Sequence, residues 1–318
     1  KDEILDRMAE AIREGLSASP KRLPSKYFYD ARGDDLFQQI MAMPEYYLTD
    51  CEREILDRQS EEISRWLNTD RFDLLELGAG DGSKTRVLLQ HFLEQGLDFR
   101  YVPVDISGNV LGELESSLKK EWPELPVRTL QGEYLRALSH FKAREGARTV
   151  VLFLGSSIGN FRSQQADAFL AALGKTLPPE SLLLIGFDLK KDPEVIFRAY
   201  NDKAGITRRF NLNLLRRLNR ELGADFDLEA FRHWPTYNPI SGEMKSYLVS
   251  LEDQTVHFAK IHKSFHFKAW EPVDVELSQK YSLPEIEKMA QQAGFRPVHH
   301  FHDSRKYFVD SLWELESD

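Results

Sequence analysis

DLLELGAGDGSK, residues 73–84, runs a short apolar segment into an acid and then into a glycine-rich loop that opens a helix. This strand, loop and helix order is how a doubly wound sheet builds a nucleoside-cofactor site. Glycines between a strand and a helix also serve as plain turn residues, so the loop alone does not decide between a binding site and a turn.

The chemistry of the loop selects among cofactors. A helix amino end attracts anions, and a dinucleotide would bring its pyrophosphate there, but Asp81 places a carboxylate at that point. Glu76 and the spacing Gly78-x-Gly80-x-Gly82 suit S-adenosylmethionine, which carries a sulfonium and an amino-acid tail and no phosphate. A second apolar run, FRYVPVDIS, ends in Asp105, about twenty residues past the loop, where a carboxylate can accept both ribose hydroxyl hydrogens. A helix cap or an Asx turn is the plainer reading of Asp105. In VRTLQGEY, Glu133 and Tyr134 stand beyond a glycine, where an adenine would stack and hydrogen bond, although polar residues after a strand are commonly just loop.

Around this loop the chain alternates short apolar runs with helical stretches from Phe72 to Leu189: DLLELG, RYVPVDI, VRTL, TVVLFLG and SLLLIGFDL. Alternation of this kind predicts a parallel sheet with helices on both faces. Residues 1–65 read as helical, interrupted at PKRLPSKYFYDARGDD, whose prolines and glycine call for loop or turn. After Asp188 a polar helix through NLNLLRRLNREL precedes period-two segments, EMKSYLVSL, TVHFAKI and SFHFKAW, which read as antiparallel strands. The end returns to helix, strand, turn and strand, a closing hairpin. The expected fold class is α/β, a Rossmann-like class I methyltransferase sheet, doubly wound, with an inserted α+β substrate-binding domain. The expected division is 1–65 for amino-terminal helices packing on the substrate module, 66–195 with 281–318 for the cofactor domain, and 196–280 for the insertion.

Bulk properties exclude other classes. The 318 residues carry a formal net charge of −9, which disfavours a nucleic acid or an anionic membrane surface as partner. Cys51 is the single cysteine, so no internal disulfide forms, and a reducing compartment, the cytoplasm, is expected. No apolar stretch reaches the roughly 18 residues of a membrane helix, and KDEILDRMAEAIREGL reads as an amphipathic charged helix. A free-standing catalyst of this size is expected to be a monomer. No metal is expected either. His262 and His266 share a strand-like segment without the compact donor set a zinc needs, and His299, His300 and His302 decorate the closing hairpin.

Six blocks go beyond a generic fold: KYFYDARGDDLFQQIMAMPEYYLTDCEREIL, ELGAGDGSKTRVLL, SSIGNF, AYNDKAGITRRFNLNLLRRLNRELGADFD, EMKSYLVSLEDQTV and VELSQKYS. In these the chain resembles the L-histidine N-alpha-methyltransferases of ergothioneine biosynthesis, over nearly its whole length. The resemblance implies S-adenosylmethionine as cofactor and free L-histidine as substrate, methylated three times on its α-amino group to hercynine. It further implies that Tyr29, Gly78, Lys84, Asp105, Glu133 and Tyr134 hold the cofactor, to which the loop spacing adds Gly80. Tyr46, Asn160, Tyr200, Met244, Glu276 and Ser278 would hold histidine, with Tyr29, Asn160 and Tyr200 nearest the chemistry. Asp81-Gly82 departs from the small hydroxyl residues expected there, which puts the local contacts to the cofactor tail in question.

The same positions have a reading of their own. In PVDVELSQ the apolar Val273, Val275 and Leu277 alternate with Asp274, Glu276 and Ser278, so a strand sets Glu276 and Ser278 on one face, about 7 Å apart. Glu276 can accept from an imidazole N–H while Ser278 serves the other nitrogen; a solvated strand face is the plain alternative. Asn160 follows a buried-type strand and falls in the crevice at the carboxyl ends, where its amide can serve a carboxylate or amine, or only a turn. Tyr46 and Tyr200 offer hydroxyls, Met244 and Phe37 are pocket walls hard to tell from packing, and the rings of Tyr29 and Phe37 suit a fixed cation. Three other functions fit the loop: the same fold acting on another amino acid or small amine, a cofactor-binding module without turnover, and an NAD-dependent oxidoreductase, the last disfavoured by Asp81.

Overall fold

The computed structural model describes residues 2–69 and 71–316, so the expected amino-terminal helix is described from Asp2, and Lys1, Asp70, Ser317 and Asp318 lie outside the described residues. Five strands precede residue 190: β1 (Arg71–Leu77), β2 (Asp98–Asp105), β3 (Leu130–Gln131), β4 (Arg148–Phe153) and β5 (Leu182–Asp188). Five more follow the helices Pro193–Tyr200 and Ile206–Leu222: β6 (Phe231–Asn238), β7 (Glu243–Ser250), β8 (Gln254–Phe258), β9 (Lys263–Phe267) and β10 (Pro272–Gln279). The closing pair is β11 (Phe295–His302) and β12 (Phe308–Leu315).

Two compact units result. Lys1–Tyr47 with Lys191–Ser278 form one, and Leu48–Lys190 with Gln279–Asp318 form the other. The helix Tyr47–Leu67 starts at their boundary, and from Leu48 on it belongs to the second.

The second unit is built on a sheet ordered β11-β12-β5-β4-β1-β2-β3. Strands β1 to β5 run parallel, and β12 lies antiparallel between β5 and β11, the expected hairpin. Helix-covered parallel strands are buried on both faces and so read as unbroken apolar runs. Strand β5, LLLIGFD, is buried along its whole length. Leu75, Val102, Val151, Leu183, Phe187 and Trp313 belong to one core cluster. The chain winds from β1 outward to β3 and then crosses back to β4 on the other side, so the carboxyl ends of β1 and β4 flank the topological switch point. The loops after these two strands are where an open sheet takes its ligand.

The first unit carries the sheet β10-β7-β6, the hairpin β8-β9, and the helices Asp2–Ser17, Ala31–Met41, Pro193–Tyr200 and Ile206–Leu222. Ile12, Leu36, Leu214, Phe231, Leu248 and Val275 share its core. The three period-two segments are strands as expected, but β6, FRHWPTYN, escapes a sequence reading because Pro235 interrupts it. A proline lacks the N–H a ladder needs and is confined to edges, and β6 is one of the two edge strands of its sheet. The loop expected through residue 35 also ends sooner: Asp30 caps a helix that begins at Ala31, its Oδ1 accepting from Gly33 N at 2.8 Å.

Candidate active site

In the loop after β1, Gly78, Gly80 and Gly82 have φ of +76°, +55° and +67°. A side chain disfavours that region, and a Cβ on Gly78 would also meet the Tyr134 hydroxyl oxygen at 2.9 Å. The amides of Gly78 and Ala79 donate to the Val104 carbonyl at 2.8 and 3.2 Å, which ties the loop to the end of β2. Asp105 at that end accepts from Gly80 N at 3.2 Å and from Ser107 N at 2.9 Å. It is thus a turn acid and a loop brace together. A carboxylate has about four acceptor sites, so these bonds leave capacity for a ribose.

Two acids of the motif differ in role. Asp81 is exposed and accepts from Ser83 N at 2.9 Å, so the approach that a pyrophosphate would need carries a negative charge. Glu76 is turned beneath the loop, accepting from Thr85 Oγ1 at 2.5 Å and from the Tyr101 hydroxyl. Burial pushes its pKa up to about 7, against the pull of those two donors. Glu76 therefore fastens the far end of the loop to β1 and β2.

Tyr134 packs its ring on Phe153 and Phe169, with centroids 5.5 and 6.0 Å away. Burial, then the Asp105 charge, pushes its hydroxyl up to about 12, so it remains a donor. Glu133 beside it is exposed. Lys84 reaches Glu52 of the helix Tyr47–Leu67, Nζ to Oε2 2.5 Å. Asn160 ends the short turn Ser157–Asn160 that follows β4 and is exposed there. Ser156, at φ +54°, holds the turn by accepting from Asp188 N at 3.1 Å.

The first unit gathers the remaining predicted residues. Tyr200, at the end of its helix, donates to Ser278 Oγ at 2.7 Å, and Ser246 of β7 donates to Glu276 Oε2 at 3.0 Å. From Tyr200 a chain of rings continues through Tyr46 (6.3 Å) and Phe37 (6.5 Å further) to Tyr29 (5.5 Å further). Phe210 backs both Tyr29 and Phe37, at 5.7 and 5.9 Å. Met244 is buried in β7, two residues before Ser246. Sequence reasoning missed Ser246 and Phe210. Both were visible only as members of an apolar or alternating pattern, which marks burial and says nothing of partners.

The Tyr29 segment is held from behind. Arg217 Nη1 donates to the carbonyls of Tyr27 and Tyr29 at 3.1 and 3.0 Å, while Asn213 and Arg220 bond the Asp30 carboxylate at 2.8 and 2.7 Å. Burial works against the charge on Asp30, but the bonds from Arg220, Gly33 and Asn213 outweigh it and its pKa is lowered. Gly33 is backed against this segment so closely that a Cβ there would sit 1.8 Å from the Phe28 carbonyl oxygen. Gly33→Ala is expected to cost roughly 1–3 kcal/mol of stability, read as a lower denaturation midpoint in urea. An unchanged midpoint would refute this packing.

Among the described residues no group of three or more His, Cys, Asp or Glu could hold a metal ion, and no helix is long and apolar enough to cross a membrane. His299 stacks on Trp66 at 4.8 Å, and His300 Nδ1 lies 2.9 Å from Ser311 Oγ.

A sheet of this order, with a glycine loop at its switch point, an acid at the carboxyl end of β2 and a carboxylate where phosphate would approach, is that of a class I S-adenosylmethionine-dependent methyltransferase. The chain belongs to the histidine-specific, S-adenosylmethionine-dependent methyltransferases, whose family model matches residues 8–315. It is 38% identical over 311 residues to histidine N-alpha-methyltransferase of Mycolicibacterium smegmatis, covering 98% of this chain and 96% of that one. Similarity to the Mycobacterium tuberculosis protein of the same name is 35% over 301 residues, 95% of this chain and 92% of that one. Ergothioneine biosynthesis protein 1 of Neurospora crassa is 31% identical over 302 residues, 92% of this chain and 33% of that longer protein. The chain is accordingly an enzyme that uses S-adenosylmethionine to methylate histidine.

Proposed function

We propose that the reaction is trimethylation of the α-amino group of free L-histidine to hercynine, the opening step of ergothioneine biosynthesis. The observation that carries this reading is the polar row on β10. Glu276 is oriented by Ser246, and Ser278, two residues on, accepts from Tyr200. One carboxylate and one hydroxyl on the same strand face suit the two nitrogens of an imidazole, and a pocket built this way rejects side chains that leave its polar groups unpaired. The names of the mycobacterial relatives support the position methylated, and that of the Neurospora protein supports the pathway.

S-adenosylmethionine supplies a methyl group on a sulfonium, and the loop after β1 with Asp105, Tyr134 and Lys84 would hold it. An α-amino group has a reference pKa near 8, so a substantial minority is already neutral at pH 7. A strong base is unnecessary, and positioning does most of the work. In this reading Asn160 and Tyr200 orient the amino-acid head, and Tyr46, Phe37 and Met244 shape the walls. The rings of Tyr29 and Phe37 favour the cation that accumulates with each methylation. We assign histidine recognition to the inserted region 196–280 supported by residues 1–65, and cofactor binding to 66–195 with 281–318. The size of a free-standing catalyst supports a monomer, and the single cysteine supports a reducing compartment, the cytoplasm.

Incubating the protein with S-adenosylmethionine and each of the twenty amino acids, with mass spectrometry of the products, tests the proposal. Histidine is expected to gain three methyl groups and the others none. Histidine left unmodified, or another amino acid preferred, would overturn it.

A further inference from the structure

Glu52 is an acid on the apolar face of its helix, with Leu48, Ile55 and Leu56 buried on the same side. Its own exposure is 0%. A fully buried carboxylate is costly unless it is paired and hydrogen-bonded, and Glu52 is both. One oxygen takes the Lys84 ammonium at 2.5 Å, and the other accepts from Gly155 N at 2.6 Å. It thereby ties together the loop that follows β1 and the loop that follows β4, the two segments flanking the switch point. The close fit extends to the sheet. A Cβ on Gly155 would approach Lys84 Nζ to 3.1 Å, and a Cβ on Gly186 of β5 would approach Glu52 Oε1 to 2.6 Å.

We propose that Glu52 is a positioning residue for the cofactor: it aims the Lys84 ammonium and fixes the Gly155 turn, so that the loops after β1 and β4 meet the amino-acid tail of S-adenosylmethionine as one rigid frame. The inference rests on the assignment of Lys84 to the cofactor tail. Asp310 of β12 crowds the same point, with Oδ1 3.1 Å from the Cβ position of Gly186. Burial first, and then the Glu52 charge, raise its pKa well above the usual carboxylate value, and among the described residues neither of its carboxyl oxygens has a hydrogen-bond partner. Lys84 stays charged: burial opposes its ammonium, but Glu52, followed by Glu76 and Asp310, raises its pKa. Of the two acids, Glu52 is the one that bonds the lysine directly.

Titration calorimetry of S-adenosylhomocysteine into the full-length protein separates the possibilities. Glu52→Gln is expected to weaken binding about 10- to 100-fold and to raise the KM for S-adenosylmethionine while that for histidine holds. Asp310→Asn, which changes a carboxyl group that holds neither Lys84 nor the Gly155 turn, is expected to bind within about twofold of the parent. Because Glu52→Gln leaves a buried ammonium without its counter-charge, the double variant with Lys84→Met is measured as well. Having lost both charges, it should bind as Lys84→Met alone does, which a general loss of packing would not produce. Parent-like affinity in Glu52→Gln, additive losses in the double variant, or a loss in Asp310→Asn equal to that of Glu52→Gln would each overturn the proposal. Parent-like affinity in Lys84→Met would instead remove the assignment of Lys84 to the cofactor, and the inference with it.

Discussion

Replacing Glu276 by alanine is expected to raise the KM for histidine by about 10- to 100-fold, the range for loss of a hydrogen bond to a charged group. The carboxylate is half-buried on β10, and Ser246 fixes one of its oxygens from the neighbouring strand. An imidazole N–H arriving there finds an oriented acceptor, and in the variant it finds an apolar stub. Ser246, buried at 1% exposure, also loses its acceptor, so a buried hydroxyl is left without that bond. Discrimination should fall along with affinity, because a carboxylate facing the ligand penalises an apolar side chain such as phenylalanine and alanine does not. Affinity for S-adenosylhomocysteine, measured by calorimetry on the same preparation, should remain that of the parent. An unchanged KM for histidine would show that this strand does not read the imidazole.

The second large effect concerns stability. Lys280 and Asp188 form an ion pair of 2.7 Å with both side chains fully buried. Asp188 closes β5, and the residues after each partner, Leu189 and Tyr281, pair as a parallel bridge. Taking two charges out of water is expensive, and removing one partner leaves the other buried without its counter-charge, at a cost of about 3–5 kcal/mol. Lys280→Met is expected to destabilise the protein by that amount in urea denaturation. Asp188→Asn combined with Lys280→Met should recover part of the loss, since neither neutral side chain needs a counter-charge. A Lys280→Met protein as stable as the parent would mean that this pair contributes nothing net.

Much of the fold is legible in residues 72–189, because a helix-covered parallel strand must be apolar throughout and the glycines that join it to a helix have few substitutes. The same holds for β7, β8 and β9, where alternation survives. Strand β6 is hidden by Pro235, whose tolerance depends on an edge position no local signal reveals. Asp30 and Gly33 look like loop residues until the helix they start is seen. At the site, Asp105 and the loop glycines announce themselves by spacing, and Glu276 with Ser278 by strand phase. Glu52 leaves only a faint mark, an acid in register with leucine and isoleucine on a helix.

Local order in the chain thus settles the sheet, the class of cofactor and the strand that carries Glu276, since each follows from a period or a spacing within a few residues. What Glu52 holds, that Ser246 turns Glu276, that Tyr200 meets Ser278, and that Asp188 needs Lys280 are decided by folding alone. These partners lie between 30 and 103 residues apart. No periodicity spans such distances, and only the closing of the intervening loops brings the side chains within hydrogen-bond reach.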